Sequence, residues 1–207
     1  MTTLSDDDFV RLFQVRFGLK VDGWAGLETI AKLDLVAPVK VAAVPAVVMP
    51  DDYWPLLSKI ESADRPYVQA ETSSASGLYQ FIKATWEGEG GTWGPTLRPA
   101  FGGLKPSPAE QLQRVKTFTG KNAAYLVRKG VPINKASLYA AHFLGGVTAA
   151  AVIAADVKAN AAAIAGPAAT KANLSIFTRE GADGKPRNAT VGEFLTWLHK
   201  KTGEWAR

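Results

Sequence analysis

Ile60-Glu61-Ser62-Ala63, then Ser73-Ser74-Ala75-Ser76-Gly77-Leu78-Tyr79-Gln80-Phe81, then Thr85-Trp86: these stretches set the architecture of the 207-residue chain. The first closes a run, Tyr53–Ser62, in which Trp54, Leu57 and Glu61 stand at i, i+3 and i+7. That spacing predicts an amphipathic helix with Glu61 on the same face as Trp54 and Leu57. A carboxyl on an apolar face loses water, and its protonated form is favoured. Kept neutral near pH 7, it can donate a proton to a leaving oxygen such as that of a glycosidic bond. The plain alternative is an ordinary glutamate at a frayed helix end. In the second stretch Ser74, Ser76 and Gly77 are small, so backbone can approach a bulky ligand. Tyr79 then offers an aromatic platform, and Gln80 an amide for sugar hydroxyls and N-acetyl groups. The alternative there is a generic tight turn entering a helix.

Outward from this stretch the chain reads as mainly α. Residues 1–36 form a small helical unit. Ser5 is a candidate N-cap ahead of Asp6, Asp7 and Asp8, and Phe9, Leu12, Phe13 and Phe17 recur at helical spacing up to a stop at Gly18. Asp22-Gly23 marks a turn, and a second helix is expected from Leu27 to Leu35. Residues 37–50 hold three prolines and read as a semi-rigid linker, or else as a strand docked on the body. Residues 51–207 form the large domain. Helices are expected from Asp51 or Asp52 as cap, around Thr85-Trp86, from Pro108 to about Lys129, over Lys135 to Leu144, over Thr148 to Ala165 and over Val191 to Thr202. Gly88 to Pro108 reads as a long loop, and no strand alternation is sustained.

Composition narrows the chemistry. There is no cysteine, and His142 and His199 are the only histidines, so neither a metal site nor a cofactor is expected. Net charge is +5 and the pI is about 9.4, which suits an anionic wall polymer, a membrane surface or nucleic acid, or an ordinary mildly basic protein. A nucleic-acid binder would cluster its basic residues among aromatics, whereas here they are spread out. The acidic start, Met1 to Asp8, has no apolar core and does not read as a secretory signal. The apolar run Val147 to Gly166 is broken by Asp156, Lys158 and Asn160, so no membrane insertion is expected.

Glu61-Ser62 … Ser76-Gly77-Leu78-Tyr79-Gln80-Phe81 … Thr85-Trp86 resembles the motif of lysozyme-like muramidases, and more narrowly of soluble lytic transglycosylases and phage endolysins. Leu138-Tyr139-Ala140-Ala141-His142-Phe143-Leu144-Gly145 resembles the family's Ala-Tyr-Asn-Ala-Gly segment, with Phe143 in place of its asparagine. Ala172-Asn173-Leu174-Ser175-Ile176-Phe177 resembles a late cleft segment of phage members. Glu71 stands where many relatives have a small residue or proline. The resemblance implies a lysozyme-like helical fold that cleaves the bond between N-acetylmuramic acid and N-acetylglucosamine in bacterial peptidoglycan, with Glu61 as general acid and base. Ser74, Ser76, Gly77, Tyr79, Gln80, Tyr125, Tyr139 and His142 would then touch substrate. For Tyr125, Tyr139 and His142 the alternative is core packing. Trp93 would either cover the cleft or plug the core edge.

The reaction turns on a second carboxylate. Hydrolases of this type use two, and Asp64, Glu71, Glu87, Glu89 and Glu180 are candidates with no motif behind them. A lytic transglycosylase works with one, which leans the reading that way. Leu12, Gln14, Gly18-Leu19, Val21-Asp22-Gly23, Gly26, Thr29 and Leu33 resemble a three-helix peptidoglycan-binding domain, with Leu27 replacing its usual proline. That resemblance implies wall contacts from Asp22, Gly23, Trp24 and Gly26. The whole is expected to be a monomeric endolysin, held in the host bacterial cytoplasm and released to the wall through a separately made membrane hole. The other readings are a hydrolytic lysozyme, a virion-associated wall-degrading enzyme, and a non-catalytic wall-binding protein on the same scaffold.

Overall fold

A computed structural model of the chain describes residues 6–23, 29, 32, 33, 36 and 47–207. It is mainly helical, with one two-stranded sheet among the described residues. Two compact units are resolved, Met1–Pro45 and Ala46–Arg207.

In the first unit α1 spans Asp6–Arg16. Gly18 follows at φ 65° and stops it, the N–H groups of Phe17 and Gly18 bonding back to the carbonyls of Phe13 and Val15. The predicted apolar stripe does not all turn inward. Phe9 and Leu12 are 57% and 55% exposed, while Gln14 is buried. Ser5, most of the expected Leu27–Leu35 helix and residues 37–46 lie outside the described residues. Val47 and Met49, the end of the expected linker, pack on the core of the second unit without forming a strand.

The second unit carries α2 (Tyr53–Ser62), α3 (Lys83–Gly88), a 3-10 turn (Ala100–Gly103), α4 (Pro108–Arg128), α5 (Lys135–Leu144), α6 (Gly146–Ala154), α7 (Ala161–Ala172), α8 (Leu174–Phe177), β1 (Thr178–Glu180), β2 (Pro186–Asn188) and α9 (Val191–Thr202). The helix starts are chemically specified. Ser107 caps α4 by accepting from Glu110 N, with Pro108 in the first turn. Asn134 with Ser137, and Thr190 with Glu193, form reciprocal capping boxes on α5 and α9. Asp52 sits at the N-cap of α2 but makes no capping bond; its carboxylate pairs with Lys135 at 2.7 Å instead.

The expected Thr148–Ala165 helix is in fact two. α6 ends at Ala154, and α7 starts after Asn160, whose side chain caps Ala163 N. The polar residues Asp156, Lys158 and Asn160, which mark the break, fall between them. β1 and β2 pair antiparallel with Arg179 opposite Arg187. At three residues each they are too short to show alternation. α5 packs on α4, α6 and α9, and Ala136, Ala140, Ala141, Ala149 and Ala150 are buried there. Small side chains let those backbones approach and leave the aromatic bulk, Phe177, Phe194 and Trp197, to the α8–α9 side.

Candidate active site

Glu61 lies in the last turn of α2, and that turn is tied down on three sides. Ala63, at φ 51°, caps the helix in the left-handed region, its N–H reaching the Lys59 carbonyl while the Asp64 N–H reaches that of Ser58. The Ser62 hydroxyl lies 3.0 Å from the carbonyl of Leu78. Ser58 Oγ donates to Asp64 Oδ1 at 2.6 Å, and Arg65 Nε to the Ser62 carbonyl at 2.8 Å. The helix end and the Gly77–Phe81 turn are therefore one body.

That turn is built around Gln111 of α4. Its Oε1 accepts from Leu78 N at 2.8 Å, and its Nε2 lies 3.0 Å from the Pro66 carbonyl and 3.1 Å from that of Pro106. Gly77 has φ 77°, and a Cβ there would run into Gln111 Oε1 and the Phe101 ring. Glycine is thus required by the protein's own packing, not by the approach of a ligand. Ser76 is buried too, its hydroxyl bonded to the Ser74 carbonyl and Phe101 N.

The turn, α2, α4, α5 and the α7–α8 junction enclose a cleft of about 290 Å³. Glu61, Gln80, Phe81, Phe118, His142, Phe143 and Asn173 line it. The apolar surroundings expected around Glu61 come mainly from Phe81, Phe118 and Phe143 on other elements. Trp54, of the same helix, lies under Lys116, 5.7 Å from the ring centroid. Burial pushes the Glu61 carboxyl from its ordinary 4.5 up to about 7. The Tyr139 hydroxyl, donating to it, and the Lys201 ammonium work the other way, each favouring the charged form. Burial and the neighbouring Glu61 charge keep Tyr139 protonated, so it remains a donor. Its ring is held at 5.7 Å by Trp197 and 5.4 Å by Phe143.

His142 lines the cleft with its Nε2 2.9 Å from the Tyr79 carbonyl. A carbonyl only accepts, so Nε2 carries the proton, and the buried Nδ1 is an acceptor with no partner. Burial drives its pKa down to about 4, so the ring is neutral at physiological pH. Gln80 is committed through Nε2 to the Gly77 carbonyl at 3.0 Å, which leaves Oε1 for a ligand. Asn173 Nδ2 is likewise spent on the Ala169 carbonyl.

Of the residues singled out in the sequence, Glu61, Gln80 and His142 meet in the cleft, and Tyr139 reaches Glu61. Ser74, Ser76, Gly77, Tyr79 and Tyr125 do not line it. Tyr79 is only 6% exposed and offers no platform; its ring lines an interior space with Phe81 and Trp86. Tyr125 packs under Arg128 and Lys129. Trp93 plugs the core edge against Phe101, its Nε1 bonded to the Thr96 carbonyl. Phe118, Trp197 and Lys201 were not anticipated. They stand on helices far away in sequence, and only the amphipathic spacing of α4 and α9 hinted at the inward faces.

None of the other candidate carboxylates lines the cleft. Asp64 takes the Ser58 hydroxyl, Glu87 pairs with Lys83 and Glu89 with Lys121. Glu71 lines a separate cavity, and Glu180 is exposed at the end of β1. Among the described residues no three histidine or acidic side chains converge as metal ligands would. No described helix is long and apolar enough to cross a membrane.

In the first unit, Gln14 staples the Asp22-Gly23 turn. Its Oε1 accepts from Asp22 N at 3.1 Å and Gly23 N at 2.9 Å; its Nε2 donates to Asp22 Oδ1 at 2.9 Å and Thr29 Oγ1 at 3.1 Å. The Asp22 carboxylate is thus engaged within the unit, and Gly23, at φ 76°, faces the Arg11 guanidinium. Trp24 and Gly26 lie outside the described residues. No protein-family model matches the chain, and no curated protein matches it.

Proposed function

We propose that this chain is a modular endolysin that cleaves the glycan strands of bacterial peptidoglycan, with Glu61 as its general acid and base. The observation that carries the reading is a carboxyl, raised by burial to about 7 and alone among the described residues in a cleft with aromatic walls. Such a group is protonated in a large fraction of molecules near neutral pH and can donate to a glycosidic oxygen. Aromatic faces and spare amide oxygens suit a sugar carrying N-acetyl groups.

In the cycle, Glu61 gives its proton to the oxygen between N-acetylmuramic acid and N-acetylglucosamine, and the glucosamine leaves as an alcohol. The Tyr139 hydroxyl and the Lys201 ammonium stabilise the carboxylate that results. Among the described residues no second carboxylate lines the cleft, so the economical route is internal. Glu61 takes the proton of the muramic 6-hydroxyl as that oxygen bonds to C1, leaving a 1,6-anhydro end and regenerating the acid. No water is consumed. This is lytic transglycosylase chemistry.

The small first unit would hold the wall and raise local substrate concentration for the tethered enzyme. The positive charge suits an anionic envelope, and a monomer stored in the cytoplasm until a membrane hole opens completes the reading. Mass spectrometry of the soluble products from purified peptidoglycan tests it. Anhydromuramic ends from the wild type and none from Glu61→Gln are expected. Reducing muramic ends would replace the internal route by hydrolysis, and the absence of any glycan product would leave a wall-binding protein.

A further inference from the structure

A second cavity, of about 320 Å³, is lined by Gln69, Glu71, Ser73, Ser74 and Arg98 and shares no lining residue with the Glu61 cleft. The two are close. Gln69 bridges to Ser76, and Ser76 to Phe81, as neighbouring antiparallel pairs. Two such steps put Gln69 of the second cavity roughly 10 Å from Phe81 of the cleft.

The cavity is held open by its own hydrogen bonds. Gln69 Nε2 donates to the Leu97 carbonyl at 2.9 Å, and Arg98 Nη2 donates to the carbonyls of Ala70 and Glu71. Other polar groups of these residues are left unspent. Gln69 Oε1 is a buried acceptor without a partner. Arg98 keeps Nε and Nη1. Ser73 and Ser74 accept from Ala75 N and Lys83 N, so each still has a proton to donate. Among the described residues neither Glu71 nor Arg98 belongs to an ion pair.

An anion alone would be repelled by Glu71, and a cation alone by Arg98. A group with both charges on one carbon satisfies everything present. We propose that this cavity binds a zwitterionic amino-acid head group. The ammonium meets Glu71, and the carboxylate meets Arg98 and the serine hydroxyls. Resting on the peptidoglycan reading of the neighbouring cleft, the natural source is the free ammonium–carboxylate centre of diaminopimelate in an uncrosslinked stem peptide. The enzyme would then prefer strands whose peptides are not yet crosslinked at that position.

The test is calorimetric titration of the full chain with the tripeptide L-alanyl-γ-D-glutamyl-meso-diaminopimelate. Saturable binding is expected. It should weaken at least tenfold for Glu71→Gln, whose fold is checked by thermal melting, and at least tenfold again for wild type when the probe is acetylated on the side-chain ammonium or amidated on the adjoining carboxyl. No binding of the parent peptide, or equal binding of the blocked peptides or by the variant, overturns the proposal. The probe carries no glycan, so its isotherm and the glycan products of the Glu61 test succeed or fail separately.

Discussion

Replacing Glu61 by glutamine should stabilise the protein, and only above a defined pH. The native carboxyl titrates at about 7 against an ordinary 4.5. Between those values the native state binds more protons than the unfolded chain, so stability falls as pH rises through the window and levels off above it. At about 1.4 kcal/mol per pH unit, the difference comes to about 3 kcal/mol at pH 8. Glutamine has the same shape and no charge to bury. The variant should therefore differ little from wild type at pH 4 and be more stable by up to about 3 kcal/mol at pH 8, or roughly 6–12 °C in melting temperature for a unit of this size. Urea unfolding followed by tryptophan fluorescence, at steps from pH 4 to pH 8, measures the difference and cancels titrations common to both proteins. A difference that is flat with pH, or that grows toward acid, would refute the reasoning, because Glu61 would then not be the group whose charge is buried at a cost.

Three further outcomes are expected. Cleavage by the wild type should decline as pH rises through about 7, and Tyr139→Phe should move that decline upward by about one pH unit, since a donor to the carboxylate is lost; a limb that stays in place in pH–rate profiles would mean the hydroxyl does not act on Glu61. Gly77→Ala should cost about 2–4 kcal/mol in thermal unfolding, from the positive φ and the collision with Gln111, and a loss below 1 kcal/mol, read against that scale, would show that Gln111 swings aside. Gln14→Ala should speed hydrogen exchange of the Asp22 and Gly23 amides by about tenfold or more, since both lose their acceptor; unchanged rates would show the turn to be self-supporting.

Much of the fold is legible in the sequence, for local reasons. Pro108 announces the start of α4 and Gly18 the stop of α1, through signals that act within a turn of helix. Glu61 stood out because the helical spacing of Trp54, Leu57 and Glu61 is also local. What was misread is non-local. Gly77 looks like room for a ligand until Gln111, thirty-four residues later, is seen to fill the space. Tyr79 looks like a platform because a sequence does not say which way an aromatic side chain turns. Phe9 and Leu12 obey helical periodicity, yet in α1 the buried position goes to Gln14, whose amide is needed by a turn the periodicity cannot foresee. Phe118, Trp197 and Lys201 join Glu61 only because α4 and α9 pack around α5.

The placement of α9 has a consequence in time. Trp197 and Lys201 leave the ribosome some 140 residues after the carboxyl whose surroundings they complete. A nascent chain halted before α9 carries Glu61 but lacks the stacked ring behind Tyr139 and the cation that balances the ionised carboxylate. The surroundings of Glu61 are thus complete only once α9 has been made. The order of the chain therefore sets when the candidate site is assembled.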